Sequence, residues 1–158
     1  MLAQIREREA ESFRSAGERQ FRSNQFDQAI ASLERAVALN PDDALATDLL
    51  FQTHFQKALN LYEKQEYLNA KAGFERAAAV KPDCGDCSQY MQKCMDEYKE
   101  LHYNEGIVFF GQEELKKAIV SWEKVVAVDP DYKDVQQNLN KANLLNERLE
   151  RIKQSSKE

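Results

Sequence analysis

Apolar and polar positions recur at helical spacing along most of this chain. Leu2, Ile5, Phe13, Ala16, Gln20 and Phe21 fall roughly on one stripe, with charges on the other side. That spacing predicts a helix over residues 2–23. A phrase then begins, Phe26 to Pro41, which recurs as Tyr67 to Pro82 and as Leu115 to Pro130. Each copy opens on an aromatic or apolar residue and places an alanine three later (Ala29, Ala70, Ala118). A bulky apolar residue follows (Leu33, Phe74, Trp122), then Glu with Arg or Lys, and a proline closes the copy. Proline cannot continue a helix and pushes the preceding residue out of helical geometry. Each phrase therefore predicts a short helix that stops before its proline. Longer helices are expected over about 43–64, 87–111 and 131–153. Polar turns fall at Ser23-Asn24-Gln25, Lys64-Gln65-Glu66 and Gly111-Gln112, and Asp42 or Asp43 can cap the helix that follows it. The tail, 154–158, is expected to fray.

The longer helices repeat more loosely. Counted back from the prolines, Gly17, Ala58 and Gly106 share one site, and Phe21, Tyr62 and Phe110 share another. A small residue lets two helices approach closely. A long helix and the short one after it form an antiparallel hairpin, whose apolar face is buried only by stacking on its neighbours. This pattern resembles the tetratricopeptide repeat over about residues 10–130, and the last helix looks like that family's capping helix. The resemblance implies an all-α, right-handed solenoid of about seven antiparallel helices in a single domain over 1–153. Its repeats would span about 2–41, 42–82 and 83–130, with the cap over 131–153. It also suggests a bacterial origin.

Two departures stand out. The family's bulky aromatic near the start of the long helix is Phe13 in copy one but His54 and His102 in the others. The prolines lie 41 and 48 residues apart, against roughly 34 in the family. The extra residues contain no proline and read as N-terminal elongation of the long helices. Such helices would overshoot the short ones and form a wall beside the groove.

Composition narrows the function. A chain of 158 residues with 42% hydrophobic content fits one globular domain with a real core. Five Gly and three Pro leave long stretches free of helix breakers. A net charge of −5 argues against a nucleic-acid partner. No apolar run is long enough to span a membrane, and the opening residues are too charged for a secretory leader. The default expectation is the cytoplasm, or the periplasm or envelope if the chain is a fragment.

Candidate chemistry is sparse. Cys84 and Cys87 form a CxxC at a helix start, with Cys94 two turns on. The pair can be inert thiols, a disulfide or redox pair, or weak metal candidates, but no second CxxC completes a zinc site. His54 and His102 each read as a half-buried ring in an aromatic site. No catalytic set or phosphate loop stands out, so neither an enzyme nor a cofactor is expected.

The resemblance implies a concave groove lined by the long helices. Copy one offers Arg14, Glu18, Phe21 and Arg22 there, copy two Phe55, Leu59 and Tyr62, and copy three Tyr103, Ile107 and Phe110. Exposed aromatic and aliphatic residues anchor partners, so the first expectation is a scaffold binding a peptide or helix, with the two arginines selecting an acidic flank. The same stripe can equally be core. Arg14 and Asn104 are only scraps of the family's carboxylate clamp, which is not expected here. The alternative is a self-associating spacer, a homodimer joined through its long helices. Its last helix carries the stripe Val135, Leu139, Ala142, Leu145, Leu149 and Ile152.

Overall fold

The three repeated phrases fold into three helices of the same length, 14 residues each: α2 (Phe26–Leu39), α4 (Tyr67–Val80) and α6 (Leu115–Val128). The intervening segments form longer helices, α1 (Leu2–Arg22), α3 (Ala44–Glu63), α5 (Gly85–Gly111) and α7 (Val135–Ser155). This is a computed structural model, and it describes residues 2–156. Those residues are all-helical, with seven helices and no strand.

Each short helix ends for the reason its proline supplies. Asn40, Lys81 and Asp129 stand in extended geometry, with φ of −137°, −129° and −156°. Each still donates its amide to the carbonyl four residues back, on Ala36, Ala77 and Val125. After the first proline the chain turns into α3, where the Asp43 carboxylate caps the helix by accepting from the Ala46 amide at 3.1 Å. Such a cap is worth about 1 kcal/mol.

The tight turns between long and short helices share one geometry that the sequence did not announce. Asn24, Gln65 and Glu113 adopt φ of 57°, 62° and 63°. The next amides, on Gln25, Glu66 and Glu114, reach back to the carbonyls of Gln20, Leu61 and Phe109, each at 2.9 Å. The amides of Asn24, Gln65 and Glu113 themselves reach Phe21, Tyr62 and Phe110. These paired bonds are Schellman motifs, which satisfy the last carbonyls of a helix while reversing the chain.

The chain divides into two compact units, Met1–Met95 and Asp96–Glu158. In the first unit, α1 packs on α2, α2 on α3 and α3 on α4, and α1 also touches α3. One core there gathers Ala29, Leu33 and Leu50. A second gathers Ala58, Ala70, Phe74 and Cys94, the last from the N-terminal part of α5. The second unit centres on Trp122, with Ala118, Val125, Val135, Leu139 and Ala142 from α6 and α7. The bulky residues shared by the three phrases are the innermost: Leu33, Phe74 and Trp122 are 0%, 0% and 1% exposed.

The last helix differs from its expected bounds. It begins at Val135 rather than directly after Pro130, because Lys133 takes a positive φ of 47° and breaks the path. It also runs on to Ser155, so residues 154 and 155, expected to fray, are helical. The end of the expected tail, 157–158, lies outside the described residues.

Candidate partner-binding faces

The residues expected to line a groove fall into three environments. On α1, the two arginines are ion-paired within the chain. Arg14 donates to the Asp43 carboxylate at 2.8 Å and lies 3.7 Å from Glu11. Arg22 pairs with Glu18 one turn back at 2.5 Å. Arg14 thereby ties α1 to the cap of α3, since the same Asp43 carboxylate holds the Ala46 amide. Phe21 leans on Phe26 at 6.1 Å across the first tight turn and packs half-buried against the first core.

On α3, Phe55, Leu59 and Tyr62 pack half-buried around Phe74. Phe55 meets Phe74 edge-on at 5.2 Å, and Tyr62 meets Tyr67 at 5.4 Å. The ring that joins them is Tyr90, which stacks on Phe74 at 4.9 Å and stands edge-on to Phe55 at 5.5 Å. Sequence reasoning missed Tyr90 because it sits in the extension of the long helix, where no repeat position predicts it. The spacing Cys87, Tyr90, Cys94 is a legible stripe on that helix, and Cys87 and Cys94 are buried on it. Beside this cluster a cavity of about 240 Å³ on α3 and α4 is lined by His54, Lys57, Asn69 and Arg76 among others.

On the part of α5 within the second unit, Tyr103 and Phe110 are half-buried and Ile107 is 45% exposed. The Tyr103 carbonyl accepts from the Trp122 indole at 3.1 Å, and its hydroxyl accepts from the Asn138 amide at 3.3 Å. Phe110 tilts against Trp122 at 5.7 Å, with the Lys141 ammonium 5.2 Å above its ring. Thus α7 adds Asn138 and Lys141 to this face, two residues no repeat alignment singles out.

The α6–α7 loop is held onto α5 by charge. Glu100 accepts from Lys133, from the Tyr132 hydroxyl and from the Asn104 amide. These donors, Lys133 foremost, hold its carboxyl down at about 2. Lys99 bridges Asp129 at 3.1 Å from the same helix.

The two histidines differ. His54 is buried, and burial lowers its pKa, with Arg76 and Lys57 adding to the fall and Glu34 opposing it. His102 shares a hydrogen bond with Glu105 at 2.6 Å and stands edge-on to Tyr98 at 4.5 Å. Cys84 and Cys87 are joined in a disulfide, which leaves Cys94 as the free, buried thiol. Among the described residues no group of three His, Cys, Asp or Glu side chains is placed to hold a metal ion. No described helix is long and apolar enough to cross a membrane.

On the last helix, Leu139 and Ala142 are buried, but Leu144, Leu149 and Ile152 are 47%, 45% and 62% exposed.

Residues 20–43 match a family model described as tetratricopeptide repeat. That span holds the end of α1, the first Schellman turn, α2 and the proline turn. No curated protein matches the chain.

Proposed function

We propose that this chain, a tetratricopeptide-repeat protein, is a non-enzymatic interaction module that binds partner proteins through the aromatic faces of its long helices. One contrast carries the reading. The bulky residues of the short helices are sealed, whereas Phe55, Leu59, Tyr62, Tyr103 and Phe110 keep part of their surface and Ile107 is 45% exposed. Half-covered aromatic rings beside an exposed aliphatic side chain are the surface that partners desolvate. On α1 the candidates are Arg14, Glu18, Phe21 and Arg22, three of them charged. With both arginines paired internally, selection of an acidic flank would require opening Arg22–Glu18, the more exposed of the two pairs.

Ile107→Asp tests the proposal with the least damage to the core, because Ile107 makes up none of the buried cluster. Proteins retained by the wild-type chain should be lost by Ile107→Asp and kept by Leu45→Asp, a control at a residue 63% exposed on α3. If both variants retain the same proteins as the wild type, the face around Ile107 is not the binding surface. Truncating Tyr62 or Phe110 is a less clean test, since both rings pack on core neighbours.

A second reading rests on Leu149 and Ile152 of the α7 stripe, exposed three residues apart on one face and fit to pair with a second copy of the chain. Light scattering decides it: a monomer mass at every concentration tried removes self-association through this helix.

A further inference from the structure

The CxxC occupies a repeat position that the first copy uses for something else. Asn40-Pro41-Asp42-Asp43 and Lys81-Pro82-Asp83-Cys84 make the same turn, with the fourth amide returning to the first carbonyl at 3.1 Å in both. Asp43 then caps α3 through the amide of Ala46, three residues on. Cys84 immediately precedes α5 and is bonded to Cys87, also three residues on. A covalent bond therefore stands where the first copy has a capping hydrogen bond.

We propose that this Cys84–Cys87 bond is a thiol–disulfide exchange site, opened by a dithiol reductant that attacks the Cys84 sulfur. The bond closes a single helical turn. A loop that short constrains the unfolded chain least among disulfides, and the turn's backbone is already held by Cys84 N–H to Lys81 and Cys87 N–H to Cys84. Access sets the direction of attack: Cys84 is half-buried, while Cys87 is 1% exposed. Both sulfurs also lie at a helix N-terminus, where free amides stabilise a thiolate.

In the first step a thiolate of the dithiol bonds to Cys84 Sγ, the Cys84–Cys87 bond breaks, and Cys87 leaves as a thiolate that takes up a proton. In the second step the other thiol of the reductant attacks the mixed disulfide and releases Cys84. The protein gains two electrons and two protons, and the reductant leaves as a cyclic disulfide. Cys94 takes no part. It lies seven residues along the helix from Cys87, about 10 Å away, beyond the reach of a disulfide. Its burial pushes its own thiol pKa up.

The experiment treats the intact oxidised chain with dithiothreitol under native conditions, then maps alkylation by mass spectrometry while circular dichroism follows helicity. Cys84 and Cys87 should become labelled with helicity intact, and Cys94 should label only after denaturant is added. With oxidised glutathione, Cys84 in the Cys87→Ser chain should form a mixed disulfide at least about tenfold faster than Cys87 in the Cys84→Ser chain. The proposal fails if the bond opens only when the helices melt. It also fails if the two variants react at equal or reversed rates, or if oxidised glutathione does not close the bond in reduced wild-type protein.

Discussion

An atom added at Gly106 would lie 2.2 Å from the Trp122 indole nitrogen, and one at Gly17 would lie 2.5 Å from Leu33 Cγ. In both places the long helix gives up a side chain so that the bulky residue of the short helix can lie against its backbone. The second copy reverses the arrangement. Ala58 sits on the long helix, and Gly73 on the short one makes room for it, with 2.8 Å between an added Gly73 Cβ and Ala58 Cβ. Gly106→Ala should therefore destabilise the chain by about 1–3 kcal/mol, despite alanine's better helix propensity, and urea denaturation would read the loss. Aligning the prolines makes Gly17, Ala58 and Gly106 legible as one site. Gly73 is not legible that way, because its role depends on which helix of the pair yields space. Acid acts on a different residue. Since Glu100 titrates at about 2 when folded, against 4.5 ordinarily, its ion pairs add stability above pH 4.5 that fades as pH falls towards 2. Solvent screens these partly exposed pairs. Glu100→Gln should accordingly flatten part of the drop in melting temperature between pH 5 and pH 2, and thermal melts of the two proteins across that range would show it.

The helices themselves are set by local signals that a sequence displays well. Periodic apolar residues, a proline at each short helix's end and an aspartate at an N-cap placed most boundaries within two or three residues. The tight turns were legible only as polar gaps, because no glycine stands at their left-handed position. Asn24, Gln65 and Glu113 all take left-handed backbone at a position where glycine is the usual choice. Asparagine tolerates that region, but glutamine and glutamate carry a cost of about 1 kcal/mol or more. Gln65→Gly should then raise stability by about 0.5–1 kcal/mol, the relief being partly offset by glycine's greater freedom in the unfolded chain. Asn24→Gly should gain less. A matched pair of urea titrations would rank them, and equal gains would show that the left-handed backbone is not what limits stability there.

At the scale of the whole molecule, the repeat pattern conveyed the fold class but neither its division into two units nor the state of its surfaces. The division falls inside α5, an unbroken 27-residue helix with no composition change to mark it. The groove residues were legible as a stripe, yet their exposure depends on rings such as Tyr90 and Tyr132 that lie in extensions or loops outside the repeated phrase. The cysteines were visible as a pair with several chemistries open to it, and in the structure the turn joins them in a disulfide.

The Schellman turns carry a consequence for how quickly the chain finds this structure. Within the first unit they and the proline turns join helices that pack mainly on their sequence neighbours, so few contacts must wait for distant segments to meet. Topologies of that kind close short loops first and fold in roughly microseconds to milliseconds. On a ribosome, α1 and α2 can pair with each other once Asn40 has emerged, before α3 arrives to add Leu50 and Asp43 to them.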